Sequence, residues 1–295
     1  MSKHGVQKIE EDLTVLMPLW KGDDPAYARE AIASATVDQT TAPGLLLLAI
    51  DGPLPDALEE VITDVLEGKY GYARVVRNKS HGGLARTLDS ALEHCESPIV
   101  ARADADDVNH PERFAVQLAA LRERGLDIVG ANMREIDESS LPRRDEAGEE
   151  RIRRRPLTHE EIANYMRDHS PFHHPTVLMR AEAVRRAGGY RDIPLMEDYD
   201  LWHRLLCIGS RMGNVADVLV DYRVSTSLYR RRGGLTLFKS DVRMQWSMLK
   251  SGTTSAPRAL RNLVGRAVYR AVPAFARDRV YWRVIERGLT GAPRS

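Results

Sequence analysis

Short apolar segments alternate with longer amphipathic segments through the first half of the chain. The apolar segments include LTVLMPL, GLLLLAID and SPIVARAD, and the amphipathic ones include DDPAYAREAIASAT and LPDALEEVITDVLEG. Continuous apolar runs of this length are typical of strands covered on both faces, and the longer runs have the spacing of helices. This β-α-β-α alternation predicts an α/β fold with a mostly parallel, doubly wound, Rossmann-like sheet and helices on both faces.

Size and charge narrow the class of protein. The chain has 295 residues, enough for one large domain or for one domain with a smaller appendage. Its 43 basic and 42 acidic residues nearly cancel, which gives no reason to expect nucleic-acid binding. Cys95 and Cys207 lack metal-ligand spacing and are too few for a disulfide scaffold. Without a signal-peptide core or a long apolar run, we expect a cytoplasmic protein or one on the inner face of the cell membrane.

Three aspartates crowd the end of one predicted strand. Asp104, Asp106 and Asp107 follow the apolar run IVARA. Carboxylates this close together must be protonated, be hydrated or share a cation, and in a doubly wound sheet ligands bind beyond the carboxyl ends of the strands. Mg²⁺ and Mn²⁺ prefer oxygen ligands and often complete their shell with substrate phosphates. The cluster indicates a site for Mg²⁺ or Mn²⁺, and the alternative is a set of helix N-terminal caps.

Two more polar side chains follow neighbouring predicted strands. Asp51 ends the run GLLLLAID, where it could accept hydrogen bonds from a base or a sugar, or cap the next helix. Asn78 precedes the glycine pair Gly82 and Gly83, which permits close backbone approach at a helix N-terminus that favours anions. Asp51 and Asn78 are therefore candidate nucleotide-binding residues at the strand ends, and a helix cap remains the alternative for Asp51.

The segment MEDYDLW places acidic residues beside aromatic ones. Glu197 and Asp198 stand next to Tyr199, and Trp202 follows closely. A carboxylate in such surroundings could have a shifted pKa and act as a general base. The structural alternative is that these carboxylates only cap the helix that begins here.

Seven segments together resemble the family 2 glycosyltransferases, which have the A-type glycosyltransferase fold. In chain order these are TVLMPLWKGDDPAYAREAIAS, AIDGP, RNKSHGGLARTL, IVARADADDVNHPERF, HHPTVLMR, GGY and MEDYDLWHRL. The resemblance extends from Thr14 to Ser227 and is to the non-processive bacterial members that build exopolysaccharide and lipopolysaccharide. The QxxRW motif of processive synthases is absent, which favours the addition of a single sugar.

The resemblance implies a donor site at the strand ends. Pro18 and Leu19 would line the nucleotide cleft through their backbone, and Asp51 would contact the base, expected to be uracil. Asp104 would lie near the ribose or a metal-bound water. Asp106 would ligate the metal ion, Mg²⁺ or Mn²⁺.

The resemblance also implies the catalytic group. Asp198 would remove the proton from an acceptor hydroxyl, which would attack the anomeric carbon and invert its configuration in one displacement. Four further residues are weaker candidates. They are Asp107 at the metal cluster, Glu197 beside the base, His174 on the acceptor side and Arg223 near the diphosphate.

The implied function is an inverting, metal-dependent transfer of one hexose-type sugar from a nucleotide-diphospho-sugar, expected to be a UDP-sugar. The acceptor would be a glycan or a lipid-linked hydroxyl in exopolysaccharide, lipopolysaccharide or other glycan assembly. Two alternatives are a sugar nucleotidyltransferase, which would usually carry a Gly-rich, Lys/Arg-containing signature after its first strand, and a catalytically silent nucleotide-sugar-binding protein. Intact Asp106 and Asp198 argue against the silent protein.

The C-terminal part differs in composition from the rest. We expect a nucleotide-sugar-binding catalytic domain at residues 1–227 and a helical, basic extension at residues 228–295. From Pro257 to Ser295, nine arginines stand against Asp278 and Glu286. Apolar residues recur at helical spacing beside the arginines: Leu260, Leu263, Val264, Ala267, Val268, Ala271 and Val272. Such a helix suits an anionic membrane surface, and the alternative is a helix packed on the catalytic domain with its arginines facing solvent.

Overall fold

One central sheet organises the protein. The computed structural model describes residues 8–145, 147–224 and 235–271, and within them nine strands form a single sheet. The strands are β1 (Lys8–Leu19), β2 (Thr41–Ile50), β3 (Ala73–Arg77), β4 (Ile99–Arg102), β5 (Val108–Asn109), β6 (Ile128–Ile136), β7 (Ile152–Arg153), β8 (Leu178–Arg180) and β9 (Met212–Arg223). Their order is β3-β2-β1-β4-β8-β6-β9-β5, and β7 pairs with β6 outside this path.

Strand direction divides the sheet into two parts. Strands β3, β2, β1 and β4 run parallel to one another, as the alternating sequence pattern predicts. Strand β8 is antiparallel to both β4 and β6, and β5 is antiparallel to β9, whereas β6 and β9 are parallel. The predicted α/β fold is therefore confirmed, with a parallel half and a mixed half.

Nine helices occur in the parts of the chain that the structure describes. They are α1 (Pro25–Ser34), α2 (Asp56–Leu66), α3 (Leu84–Glu93), α4 (Arg113–Glu123), α5 (His159–Tyr165), α6 (Ala181–Arg186), α7 (Glu197–Cys207), α8 (Leu235–Lys250) and α9 (Ala256–Ala271). Local sequence explains where several begin. Asp24 caps α1 ahead of Pro25, and Thr158 and Glu161 form a capping box at α5.

The sheet is covered on both faces. Alternate residues of β1 and β2 point to opposite sides, so that Leu16 and Leu47 enter one core and Val15 and Leu48 enter the other. Helices α3, α6, α7 and α8 pack on the first core, and α1, α2 and α4 pack on the second. This two-sided burial explains why the central strands are continuously apolar in sequence.

The C-terminal helices α8 and α9 form a hairpin that packs against the preceding part of the chain. Arg258 of α9 donates to both carboxylate oxygens of Asp168, at 3.0 and 2.5 Å, and Arg261 donates to Asp168 at 2.8 Å. Arg266 donates to Asp241 and to the Asp168 carbonyl, at 2.6 Å each. Helix α9 therefore packs on the protein, as the alternative predicted, but Arg258 and Arg266 pair with acidic groups of the protein instead of facing solvent. The predicted membrane contact stays a prediction.

The remainder of the predicted extension is not covered. Residues 272–295 lie outside the described part of the chain, and so does the predicted boundary between residues 227 and 228. Among the described residues, no helix combines the length and apolarity needed to cross a bilayer.

Asp168→Ala is expected to lower the free energy of unfolding by about 2 kcal/mol, because it removes charged hydrogen bonds from Arg258 and Arg261 in a half-buried position. Asp192→Ala is the matched control, since Asp192 forms an exposed ion pair with Arg86 worth under about 0.5 kcal/mol. Urea unfolding of both variants measures the difference. Equal losses in the two variants would contradict the assigned role of Asp168.

Candidate functional site

The carboxyl ends of three parallel strands meet at one edge of the sheet. Strand β1 lies between β2 and β4, and the ends of all three bring Leu19, Asp51 and the loop after Arg102 together. The backbone N–H of Asp51 donates to the Leu19 carbonyl at 2.8 Å. Pro18 is half-buried and Leu19 is fully buried beside this edge. Parallel pairing thus assembles residues that are far apart in sequence.

Asp51 joins the end of β2 to the N-terminus of α3. Its carboxylate accepts hydrogen bonds from the backbone N–H of Gly82 at 2.7 Å and of Gly83 at 3.1 Å, and lies 2.8 Å from Nδ1 of His81. Gly52 has a φ of +85°, and a Cβ there would lie 2.7 Å from the His81 nitrogen. The Asp51 side chain is buried and holds the N-terminus of α3, and its predicted contact with the nucleotide base stays a prediction.

Asn78 stabilises the same loop from β3. Its Nδ2 donates to Oγ1 of Thr87 at 3.1 Å, and its backbone N–H donates to the Ile50 carbonyl at 2.9 Å. The side chain therefore fixes the position of α3 beside the strand ends. Its predicted contact with the donor stays a prediction.

The acidic cluster is a set of three converging carboxylates. Ligand oxygens of Asp104, Asp106 and Asp107 lie within 4.8 Å of one another. Burial in the cleft and then the charge of Asp104 raise the pKa of Asp106 to about 6. Burial and then the charge of Asp106 raise the pKa of Asp107 well above its usual range. Asp107 also keeps one buried carboxylate oxygen without a hydrogen-bond partner. An oxygen-only donor set with this much repulsion fits a divalent cation.

A fourth carboxylate faces the cluster and was missed by sequence reasoning. Asp23, in the loop between β1 and α1, accepts a hydrogen bond from the Trp20 N–H at 2.8 Å. Desolvation raises the pKa of Asp23 to about 7, with added contributions from the charges of Asp106 and Asp104. The available signal was its position just after a predicted strand.

Two buried arginines hold the cluster. Arg102, fully buried, pairs with Asp104 and with the adjacent carbonyl. Arg223 donates from its backbone to Asp107 at 2.9 Å and from Nε to the Asp106 carbonyl at 2.9 Å. Its other guanidinium nitrogens contact protein acceptors, including Glu30 at 2.7 Å. This geometry supports a positioning role for Arg223 rather than the predicted contact with a diphosphate.

The predicted base lies in the first turn of α7. Glu197 and Asp198 are half-buried there, where the helix dipole favours negative charge. Burial and then the charge of Asp198 raise the pKa of Glu197 to about 7. Asp200 instead accepts a hydrogen bond from Nε of Arg204 at 2.7 Å, within the helix. Asp200 therefore has a structural role within α7, and the catalytic role of Asp198, with Glu197 beside it, stays a prediction.

His174 lies in a short 3₁₀ turn, His174–Thr176, before β8. Its Nε2 lies 2.9 Å from the Tyr190 hydroxyl, and its ring packs edge-on against Trp202 with centroids 5.9 Å apart. Burial and then the charge of Arg102 hold the pKa of His174 well below its usual range, so the ring is neutral. These contacts favour a structural role.

The sequence matches the family model "Glycosyl transferase family 2" over residues 14–188. The chain is a family 2 glycosyltransferase. A curated relative, the UDP-Gal:alpha-D-GlcNAc-diphosphoundecaprenol beta-1,3-galactosyltransferase of Escherichia coli, is 29% identical over 94% of this chain and 97% of its own.

Solved structures show that this glycosyltransferase has the A-type fold. TarS 1–349 of S. aureus, in complex with UDP-GlcNAc, superposes with a TM-score of 0.62 at 14% identity, over 94% of this chain and 77% of that one. The mannosyltransferase PcManGT of Pyrobaculum calidifontis, in complex with GDP-Man and Mn²⁺, has a TM-score of 0.57 at 16% identity, over 95% of this chain and 83% of that one.

Proposed function

We propose that this glycosyltransferase moves one hexose-type sugar from a UDP-sugar to an acceptor hydroxyl, with inversion and with a divalent cation. One observation carries the proposal. The carboxylates of Asp104, Asp106 and Asp107 converge at the carboxyl end of β4, and the charge of buried Arg102 offsets part of the increase that burial causes in the pKa of both Asp106 and Glu197. This proximity to one guanidinium supports a single cleft in which a donor's leaving group and an acceptor hydroxyl would meet their partner groups.

The donor side uses the strand ends. Asp106, with Asp104 and Asp107, would hold Mg²⁺ or Mn²⁺, which when bound supplies positive charge beside the departing diphosphate. Asp51 would contact the uracil, next to the backbone of Pro18 and Leu19. TarS 1–349 binds UDP-GlcNAc, and PcManGT binds GDP-Man with Mn²⁺, which supports a nucleotide-diphospho-sugar donor and a divalent cation.

The acceptor side uses the first turn of α7. Asp198 would take the proton of the acceptor hydroxyl while that oxygen attacks the anomeric carbon from the face opposite the diphosphate. One displacement inverts the configuration, so the enzyme needs no covalent nucleophile. Glu197 beside it tunes the charge of the pair.

The acceptor class follows from the relative named above, whose name specifies a sugar linked through diphosphate to undecaprenol. We propose a lipid-linked acceptor and a place on the cytoplasmic face of the cell membrane. Residues 1–227 would form the catalytic domain, and residues 228–295 would form its extension. This arrangement suits the stepwise assembly of exopolysaccharide or lipopolysaccharide.

A panel of UDP-hexoses tests the proposal in the presence of Mn²⁺. The expected result is a rise in melting temperature with at least one donor, because a ligand that binds only the folded state stabilises it. Addition of a lipid-linked sugar acceptor should then release UDP. Release of pyrophosphate from a sugar phosphate and a nucleoside triphosphate would identify a nucleotidyltransferase instead, and donor binding without turnover on any acceptor would identify a silent binding protein.

Activity is expected to rise with pH up to a plateau just above 7. The charged form of the Glu197–Asp198 pair is the active one, and the raised pKa of Glu197, about 7, means that the pair holds a proton below neutrality. Glu197→Gln removes one of the two charges, so the acidic limb of log kcat/KM should move to lower pH. An unmoved limb in this variant would assign the titration to another group.

A further inference from the structure

Helices α8 and α9 each expose a row of large apolar side chains. Residues Phe238, Val242 and Trp246 are four apart on α8, and Leu260, Val264 and Val268 are four apart on α9. Side chains with this spacing share one face of a helix. All six are between 38% and 64% exposed. We call these rows the two apolar stripes.

The orientation of α9 is the reverse of that of an ordinary surface helix. Its polar residues Arg258, Asn262 and Arg266 face the protein and bond to it, while its apolar stripe faces solvent. A surface helix normally buries its apolar face. Single exposed apolar side chains are common, whereas two periodic stripes on neighbouring helices mark an interaction surface.

The exposed charge on the same two helices is positive. Lys239, Arg243 and Lys250 are exposed on α8, and Nζ of Lys250 lies 5.3 Å from the Trp246 ring centroid. The one acidic residue of α8 and α9, Asp241, is buried and paired with Arg266. The described surface of the hairpin thus offers cations and apolar groups without an exposed carboxylate.

We propose that the two apolar stripes, with Lys239, Arg243 and Lys250, dock the enzyme on an anionic lipid leaflet. The apolar side chains enter the boundary between headgroups and acyl chains, and the cations contact lipid phosphates. A tryptophan beside a lysine is typical of groups that lie at this depth. This inference deepens the proposed function, which supplies a lipid-linked acceptor, but lipid binding itself requires no sugar transfer.

The hairpin is tied to the helix that carries the proposed base. Nε2 of His203, on α7, lies 2.9 Å from Oγ of Ser251 and 3.0 Å from Oγ1 of Thr253, in the connection between α8 and α9. His203 is five residues beyond Asp198, about 8 Å along the helix axis. Docking of the hairpin therefore fixes the distance of α7 from the lipid surface, where a lipid-linked acceptor would be held.

Flotation with vesicles tests the inference on the full chain. The protein should float with vesicles of phosphatidylcholine and phosphatidylglycerol and stay behind with phosphatidylcholine alone. The pairs Phe238→Ser/Trp246→Ser and Leu260→Ser/Val264→Ser should each reduce partitioning at least about tenfold, because each removes two apolar anchors. Leu66→Ser, at a residue of α2 with similar exposure, should leave partitioning unchanged.

Three results would overturn the proposal. Stripe variants that float as well as Leu66→Ser, or an unmodified protein that never floats, would show that the stripes do not bind lipid. A concentration-dependent dimer that the same variants dissociate would identify a second copy of this chain as the occupant. Thermal unfolding and transfer to a water-soluble acceptor check that the variants are folded, and loss of transfer with flotation intact would count against the proposed function alone.

Discussion

Asp198→Asn is expected to abolish sugar transfer while donor binding stays within a few-fold of the unmodified enzyme. A general base contributes roughly 10²–10⁴-fold to a rate, and an amide cannot take the proton from the acceptor hydroxyl. The donor contacts proposed for Asp51 and Asp106 belong to strand ends and not to α7, so affinity for UDP-sugar should survive. Product formation measures transfer, and calorimetry measures donor binding.

The matched control is Asp192→Asn, which removes an exposed charge six residues before Asp198 that pairs with Arg86. It should retain full activity. Transfer that persists at the unmodified rate in Asp198→Asn would place the base elsewhere. Transfer lost together with donor binding would point instead to a general disruption of the cleft.

Asp106→Ala should remove the effect of Mn²⁺ on donor binding. In the unmodified enzyme, Mn²⁺ is expected to tighten binding of the UDP-sugar, because the cation links the acidic cluster to the diphosphate. The variant should bind the donor no more tightly with Mn²⁺ than without it. Without any metal, the variant should be at least as stable as the unmodified protein, since one of three mutually repelling carboxylates is gone.

The same cluster predicts a pH dependence of the metal effect. The pKa of Asp106 in the folded protein, about 6, lies above its ordinary value of 3.8, so this group's contribution to stability is present below pH 4 and is lost as pH rises through 6. Mn²⁺ binds the deprotonated carboxylates. The increase in melting temperature with Mn²⁺ should therefore be larger at pH 8 than at pH 5, and an increase independent of pH would exclude Asp106 as a ligand.

The site could be predicted from sequence to the extent that it depends on parallel strands. Apolar runs that end in Asp51 and in Asp104 identify two buried strands, and parallel pairing then places both residues at one edge. The positions of Asp106 and Asp107 follow because they lie in the same loop. This reasoning uses only the local apolar periodicity and the rule that ligands bind beyond the carboxyl ends of parallel strands.

Contacts between distant segments were beyond such reasoning. Arg258 and Asp168 are 90 residues apart, and the sequence of α9 has both an apolar and a basic stripe, so periodicity could not say which faces the protein. Strand β7 lies in a strongly charged segment, and it is held by Arg153, whose guanidinium pairs with the fully buried Glu135. Each of these contacts depends on a distant partner residue that the local sequence pattern cannot identify.

Strand β8 runs antiparallel to both of its neighbours, and this changes which segments of the chain meet at the ligand edge of the sheet. A parallel strand places only its C-terminal end on the ligand side of the sheet. Strand β8 runs in the opposite direction and places its N-terminal end there. The Val177 carbonyl accepts a hydrogen bond from the Arg102 N–H at 2.9 Å, which sets the turn containing His174 beside the exit of β4. The antiparallel direction of β8 thus brings the turn before this strand to the same edge of the sheet as the loop after β4.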